Sequence, residues 1–395
     1  MLRLVFFSVF LFHVCLIAPS AAGSENSSEE NSAPFYSPEE MAYIENRLTT
    51  HLLDIKFNGQ VLVARYGRVI YNRSFGFADF RDNTPVNSRT SFQIASITKP
   101  FTATAVLLLQ QQGKLNIDDL VARHVKEFPY KNVTIRHLLN HTSGLPNYFH
   151  FLPQIWKGKN SFPNNEDLLK AFTSRKRNLK FNPGTKFEYS NTGYAFLALL
   201  IERVSKQTYA NFIKKNIFEP LEMHDSFVYN PGSKTTIKNR AYGFRQTRRG
   251  KVFAKDSELD GIMGAKGIFS TANDLYKWDM AIYQNKILAV NSWNSAFEPA
   301  VLANDSIVKY GLGWRLQSFA GSRVVHHPGW WAGFRTSFKR FIDNLGTIII
   351  LSNNDYSVAN LVNKLQEIVF YKELEIFNQF EVENGLEEGE NQENS

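Results

Sequence analysis

The pattern of apolar residues predicts two β-hairpins, one near each end of the chain. Near the start, two apolar runs within residues 60–71 flank the turn-forming segment Tyr-Gly-Arg at 66–68. Near the end, two further runs within residues 334–351 flank the segment Asp-Asn-Leu-Gly at 343–346. Strands at both ends of the chain are typical of one sheet that the two ends build together.

Helical spacing dominates the rest of the chain. Apolar residues recur at intervals of three and four near the end, at Val358, Leu361, Val362, Leu365, Ile368 and Val369. The segment 271–274 (Thr-Ala-Asn-Asp) resembles a helix cap that precedes another apolar face. We therefore predict an α/β fold with an antiparallel sheet built from both chain ends and flanked by helices. The mainly helical middle would be an inserted subdomain, and catalytic groups would lie in the groove between the two parts.

Composition and charge narrow the class of protein. The chain has 395 residues, of which 43% are hydrophobic and 21% charged, which excludes collagen-like, disulfide-scaffold and wholly disordered proteins. The net charge of +8 hides an uneven distribution, because residues 41–372 carry +20 and both ends are acidic. Eight Glu and no Lys or Arg lie in 373–395. A basic body could bind nucleic acid, but an exported protein rarely meets any, so we expect no nucleic-acid partner.

Residues 1–22 have the features of a secretory signal peptide. Arg3 precedes an apolar stretch, and Ser-Ala-Ala at 20–22 supplies small residues for cleavage. The alternative is an uncleaved anchor, but the stretch is shorter than the roughly 20 residues that a spanning helix needs. Cys15, the one cysteine, lies in this segment, so the mature chain would have neither a disulfide nor a thiol nucleophile.

These features predict a protein exported to the periplasm or the medium, with no integral membrane span after cleavage. We expect a signal peptide at 1–22, a flexible acidic linker at 23–37, one catalytic domain at 38–372 and an acidic, disordered tail at 373–395.

A serine and a lysine are candidates for nucleophilic chemistry. In residues 96–99 (Ser-Ile-Thr-Lys), Ser96 and Lys99 open a predicted helix and share one of its faces. A serine hydroxyl needs a base, and a lysine can serve when burial lowers its pKa. By itself the pattern is weak, because residues 306–309 match it too. The alternative interpretation makes Ser96 a helix cap and Lys99 a solvated side chain.

Two later motifs strengthen the first one by their order and spacing. Tyr189 and Asn191 form a Tyr-x-Asn motif just before an apolar helix. His327 and Gly329 form a His-x-Gly motif at the end of a candidate strand, and this motif occurs once in the chain. Because Tyr-x-Asn also occurs elsewhere in the chain, the evidence for a catalytic site is the order and spacing of the three motifs together.

With these motifs the sequence resembles the penicillin-recognising serine hydrolases, in the branch of class C β-lactamases, DD-peptidases and related esterases. The likeness covers roughly residues 40–372. It includes three long stretches in the expected order, at 136–146, 187–194 and 267–275. The resemblance implies the β-lactamase/transpeptidase-like fold and a site that works without cofactor or metal.

The resemblance also implies a role for each site residue. Ser96 would form an acyl-enzyme after Lys99 takes its proton. Tyr189 would pass a proton to the leaving group, for which we expect the charge of Lys99 to lower its pKa. Asn191 would bind substrate and hold Lys99. The backbone N–H groups of Ser96 and Trp330 would form the oxyanion hole.

One motif departs from the family pattern. Class C β-lactamases have Lys-Thr-Gly where this chain has His327, Pro328 and Gly329. His327 can still donate a hydrogen bond or carry partial charge, but Pro328 has no hydroxyl to help bind a substrate carboxylate. Trp330 and Trp331 would wall the site and favour an apolar or flat acyl group; the alternative is that they pack between sheet and helices.

The leading hypothesis is therefore an exported serine hydrolase that cleaves an ester or amide bond in a small molecule or peptide, including cell-wall material. The first alternative is a D-Ala-D-Ala carboxypeptidase or a class C-type β-lactamase. The second alternative is a non-catalytic binding or scaffold protein on the same fold. His137 and His141 are four residues apart, but no carboxylate ligand accompanies them, so we expect no metal site.

Overall fold

The computed structural model describes residues 36–371, apart from 158, 160, 176, 233–236, 355 and 356. The predicted signal peptide at 1–22 and the predicted tail at 373–395 lie outside the described residues, as does all but the last two residues of the predicted linker at 23–37. Those boundaries stay predictions. Within the described part of the chain, no helix is long and apolar enough to cross a membrane.

The elements are numbered in chain order. The strands are β1 (Gly59–Arg65), β2 (Arg68–Phe75), β3 (Phe77–Asp79), β4 (Thr84–Pro85), β5 (Phe92–Gln93), β6 (Phe227–Val228), β7 (Phe244–Thr247), β8 (Gly250–Phe253), β9 (Ile268–Ser270), β10 (Ala300–Val301), β11 (Ile307–Val308), β12 (Arg315–Phe319), β13 (Ser322–Trp331), β14 (Phe334–Phe341) and β15 (Gly346–Ser352). The α-helices are α1 (Pro38–Asp54), α2 (Thr98–Gln111), α3 (Val121–His124), α4 (Ile135–Leu139), α5 (Leu152–Trp156), α6 (Asn165–Thr173), α7 (Asn191–Ser205), α8 (Tyr209–Ile213), α9 (Ala272–Tyr283), α10 (Val290–Ala296) and α11 (Val358–Val369). Short turns of other helix types are 3₁₀ at Ala95–Ile97, Tyr148–His150 and Glu258–Gly261, and π at Lys214–Phe218.

The main sheet joins the two ends of the chain, as predicted. Its order is β12-β13-β14-β15-β1-β2, and all neighbouring strands are antiparallel. Both predicted hairpins are present as β1–β2 and β14–β15. The first turns at Tyr66 and Gly67, which both have positive φ (49° and 70°), the geometry of a two-residue turn that follows the twist of the strands.

Strands β1 and β15, which pair inside the sheet, are buried on both faces, which explains their nearly continuous apolar sequence. Val61 and Ile348 point to one face, where they pack in a core with α1 and α11. Leu62 and Ile349 point to the other face, where they pack in a larger core with the helical middle of the chain. This arrangement confirms the predicted fold class.

Strand β13 differs from its prediction, because it runs through the His-x-Gly motif to Trp331 rather than ending at it. A proline inside a strand needs an open neighbour on one side. Pairing with β12 stops where Arg315 lies opposite His326, so Pro328 lies beyond the last paired residue. From there β13 borders the groove that holds the candidate site.

Candidate active site

Ser96 lies at the base of the groove, on a strained turn. The helix predicted from Ser96 begins instead with the 3₁₀ turn Ala95–Ile97, and α2 follows at Thr98. Ala95 has φ +49°, which a residue with a Cβ adopts only at some cost. This turn leaves Ser96 partly exposed to the pocket while Lys99, one helical turn on, is fully buried.

Three groups surround the amine of Lys99. Its Nζ lies 3.0 Å from Oγ of Ser96, 2.8 Å from Oδ1 of Asn191 and 3.0 Å from the carbonyl oxygen of Ala265. The amide and carbonyl oxygens can only accept hydrogen bonds, so they take the two N–H groups of a neutral amine. Its lone pair is then left for the hydroxyl of Ser96, which is the arrangement of a base and its nucleophile.

The electrostatics of the site favour that neutral amine. Burial lowers the pKa of Lys99 well below its usual value, and the positive charges of Arg315 and Lys266 lower it further. Asn191, the first residue of α7, accepts one of the hydrogen bonds of this amine.

Tyr189 lies over the same amine, but its ionisation differs from our expectation. Its ring centre is 4.7 Å from Nζ of Lys99 and 4.3 Å from the ring of His141. Burial raises the pKa of Tyr189, and the opposing effects of Ser96 and Arg315 are smaller. The expectation that the charge of Lys99 lowers this pKa is wrong, because burial is the largest effect on it and Lys99 is not among its causes. Tyr189 is therefore a neutral, protonated phenol in the resting site.

Gly329 allows β13 to touch the turn that carries Ser96. A Cβ at this position would lie 2.2 Å from Oγ1 of Thr336 and 2.4 Å from the carbonyl oxygen of Ile94. Thr336 also donates a hydrogen bond of 3.1 Å to that carbonyl. Any side chain at Gly329 would push the strand away from the turn.

Both ring nitrogens of His327 have partners inside the protein, which corrects the expectation that it donates a hydrogen bond to the substrate or carries partial charge. Its Nδ1 lies 2.6 Å from the carbonyl oxygen of Pro328, which can only accept, so Nδ1 carries the proton. Its Nε2 then accepts from the hydroxyl of Tyr310, 3.3 Å away. Burial, followed by the effect of Lys99, lowers the pKa of His327 well below its usual value. The side chain lines the pocket as a neutral imidazole.

The hydrogen-bond chain continues to residues that the sequence analysis did not assign to the site. Tyr310 accepts from Nε2 of His141 at 3.1 Å, and Nδ1 of His141 accepts from the backbone N–H of Ser190 at 3.2 Å. His141 therefore has a structural role in the segment 136–146, and Nδ1 of His137 accepts a hydrogen bond from the backbone N–H of Thr134 at the start of α4. Nothing local in the sequence around Tyr310 indicates its place in this chain.

The two tryptophans occupy different positions. Trp331 is half-buried, its ring centre lies 5.2 Å from that of Phe149, and its Nε1 donates to Asp260 at 2.6 Å. Trp330 is 66% exposed at the rim, where the guanidinium of Arg335 stacks on it. The side chain of Trp331 therefore forms a wall of the pocket, whereas the side chain of Trp330 lies at its rim.

The pocket that these residues enclose has a volume of about 420 Å³ and a cationic lining. It includes all the predicted site residues that face the groove, namely Ser96, Tyr189, Asn191, His327, Gly329 and Trp330. Arg315 and Lys266, which sequence analysis missed, also line it. The guanidinium carbon of Arg315 lies 5.5 Å from the ring centre of Tyr189. Among the described residues, its buried Nε has no hydrogen-bond acceptor.

A sheet built from both chain ends, with a serine, a buried lysine and a tyrosine where it meets a helical insertion, defines the β-lactamase fold of serine hydrolases. The chain belongs to the β-lactamase family, whose sequence model (Beta-lactamase) matches residues 52–371.

Named relatives agree with this assignment. The chain is 39% identical over 311 residues to a penicillin-binding protein of Bacillus subtilis, which covers 76% of this chain and 69% of that protein. The crystal structure of a penicillin-binding protein from Bacillus halodurans is 28% identical, with a TM-score of 0.72 over 82% of this chain and 99% of the other. An octameric penicillin-binding protein homologue from Pyrococcus abyssi is 26% identical, with a TM-score of 0.69 over 88% and 82% of the two chains.

Proposed function

We propose that this protein is an exported serine hydrolase that cleaves an ester or amide bond through an acyl-enzyme on Ser96. The observation that carries the proposal is the environment of Lys99, a buried amine that faces the hydroxyl of Ser96 at 3.0 Å. A lysine kept only for solubility would not be buried without a carboxylate partner. Export is supported by the composition of residues 1–22.

Acylation begins when Oγ of Ser96 attacks the substrate carbonyl carbon and its proton passes to Nζ of Lys99. The negative charge on the carbonyl oxygen is stabilised by the backbone N–H groups of Ser96 and Trp330. Tyr189 gives its proton to the leaving alcohol or amine as the scissile bond breaks. Lys99, now an ammonium, returns a proton to Tyr189, and its lowered pKa makes that transfer favourable.

Deacylation uses the same groups in the opposite direction. Tyr189 and Lys99 help to take a proton from water, which attacks the acyl carbon, and the proton returns to Ser96 as the ester bond breaks. Asn191 keeps Lys99 oriented throughout, since its Oδ1 holds one N–H of the amine. No step in this sequence needs a metal or an organic cofactor.

A second candidate function follows from Arg315. Pro328 has no hydroxyl that could help to bind a substrate carboxylate. Its presence therefore favours ester and amide substrates that carry no free carboxylate. Arg315, however, places a guanidinium in the pocket whose Nε has no acceptor among the described residues. Such a group is suited to a carboxylate. This favours a D-Ala-D-Ala carboxypeptidase or a β-lactamase as the alternative.

Substrate comparison separates the two functions. Purified protein is assayed with short-chain nitrophenyl esters, with nitrocefin and with a peptide ending in D-Ala-D-Ala, each beside Ser96→Ala. We expect ester hydrolysis that depends on Ser96 and slow nitrocefin turnover. Rapid nitrocefin or peptide hydrolysis would establish the second function instead. A non-catalytic scaffold would hydrolyse none of the three substrates and would not be labelled on Ser96.

A further inference from the structure

A buried ion pair begins at the residue that follows the backbone acceptor of Lys99. The carbonyl oxygen of Ala265 accepts one N–H of Lys99, and the next residue, Lys266, is buried and lines the pocket. Nζ of Lys266 lies 3.0 Å from Oδ1 of Asp260 and donates to the carbonyl of Leu259 at 2.7 Å. The catalytic base and this ion pair therefore share one short segment of backbone.

Asp260 is firmly held, which fixes the position of the charge on Lys266. Its Oδ2 accepts from the backbone N–H of Ser257 at 2.7 Å, and its Oδ1 also accepts from Nε1 of Trp331 at 2.6 Å. Asp260 and Lys266 are each 3% exposed. A buried ion pair of this kind adds little stability compared with apolar residues of the same size, so its presence beside a reaction centre calls for another explanation.

We propose that Asp260 and Lys266 are positioning residues: Asp260 keeps Lys266 charged beside the reaction centre, and that fixed positive charge keeps Lys99 a free amine. The proposal rests on the proposed function, because it assigns the state in which the base of that reaction is held. It adds a role for two residues that act on the base through electrostatics and not through a contact with Ser96.

The effect of Asp260 on Lys266 and the effect of Lys266 on Lys99 each have a physical basis. Burial lowers the pKa of Lys266 and decides its net direction, whereas the carboxylate of Asp260, followed by that of Asp256, opposes the shift and so favours the ammonium. A charged Lys266 in turn makes a second positive charge at Lys99 costly, since two like charges repel strongly where water is excluded. Burial and Arg315 act on the pKa of Lys99 in the same direction.

The other groups around Lys99 do not supply a compensating negative charge. Those that face it from the neighbouring elements are Tyr189, Tyr194, His141, His327, Arg315 and Lys266. Burial raises the pKa of both tyrosines and lowers the pKa of both histidines, so all four are neutral. The two charges that lower the pKa of Lys99, those of Arg315 and Lys266, are therefore positive. Lys266 follows the residue that accepts a hydrogen bond from Lys99, and the carboxylate of Asp260 is paired with Lys266.

The proposal is tested by four variants and two readouts. The variants are Lys266→Met, Asp260→Asn, the double variant, and Lys266→Arg, which keeps the charge. The readouts are the pH dependence of kcat/KM for a nitrophenyl ester and the titration of Lys99 by NMR in protein with isotope-labelled lysine, assigned with Lys99→Met. Thermal melting shows that each variant is folded.

The expected result is a shift of the acidic limb of kcat/KM towards higher pH in Lys266→Met and in Asp260→Asn. The variant-to-wild-type ratio is then lowest at low pH and rises towards a plateau. The double variant should shift no further than Lys266→Met, because Asp260 acts through Lys266, and Lys266→Arg should keep the wild-type limb. The NMR titration of Lys99 should move in the same direction.

Two outcomes overturn the proposal. One is an equal loss of kcat/KM at all pH values with an unmoved limb, which is what a merely structural ion pair would give. The other is an unmoved titration of Lys99 in a folded Lys266→Met protein. A titration that moves as expected in a protein without Ser96-dependent hydrolysis would instead reject the proposed function and retain the role of the ion pair.

Discussion

The contact between Gly329 and the turn that carries Ser96 can be broken with a single methyl group. In Gly329→Ala the new Cβ would lie 2.4 Å from the carbonyl oxygen of Ile94, whereas ordinary contact starts at 3.4 Å. Because Ile94 contributes backbone atoms here, the strand and the turn must separate by about 1 Å. The proposed oxyanion donors, Ser96 and Trp330, lie on opposite sides of that separation.

A misplacement of about 1 Å costs on the order of 100-fold in rate when it falls between reacting groups. We therefore expect kcat/KM of Gly329→Ala for nitrophenyl esters to fall about 100-fold, and the rate of fluorophosphonate labelling of Ser96 to fall similarly. Overpacking of this kind costs about 1–3 kcal/mol of stability. The protein should still fold, with a lowered melting temperature.

A glycine elsewhere in the sheet provides the control. In Gly346→Ala the new Cβ would meet Cζ of Phe370 at 3.0 Å, on the face that packs against α11 and away from Ser96. This variant should lose some stability and keep wild-type kcat/KM. Wild-type kcat/KM and labelling rate in Gly329→Ala would refute the reasoning, because the two proposed oxyanion donors would then tolerate the separation.

Three further predictions concern the proton transfers and the substrate. Tyr189→Phe should lower kcat/KM by about 10²–10⁴-fold with an unchanged melting temperature, since a general acid is lost while the ring stacking on His141 is kept; full activity would exclude Tyr189 as the proton donor. The pH–rate profile should rise with pH along a limb well below 10.5 and then level off, because only the free amine of Lys99 accepts a proton and burial lowers its pKa; a limb near 10.5 would contradict this. If the second function holds, Arg315→Gln should lower kcat/KM about 10–100-fold for carboxylate-bearing substrates relative to neutral esters. The comparison is made on the high-pH plateau, because Arg315 also acts on the pKa of Lys99.

The sequence predicted the parts of the fold that depend on local periodicity. The alternation and turn residues around Gly67 and the apolar spacing in α11 are local features, and both elements have the predicted bounds within a few residues. The strand through Pro328 was predicted to end at the His-x-Gly motif, and it continues to Trp331. What permits it is the early end of β12, a tertiary feature that no local pattern indicates.

The residues of the candidate site also fall into those that a local motif predicts and those that only the tertiary structure shows. Ser96, Lys99, Tyr189 and Asn191 occur in short motifs, so their types and order could be found along the chain. Arg315 and Lys266 carry no motif, and they reach the pocket only because the sheet and a loop bring them there. The ionisation of the site was also predicted wrongly where it depended on burial, which sequence does not measure.

The central claim is that Ser96 is a nucleophile activated by Lys99. The most direct test treats the full-length protein with a fluorophosphonate and locates the adduct by intact mass and peptide mapping. The account predicts one adduct on the peptide that contains Ser96, none in Ser96→Ala, and much slower labelling in Lys99→Met. Absence of an adduct on that peptide, or an unchanged adduct in Ser96→Ala, would contradict it.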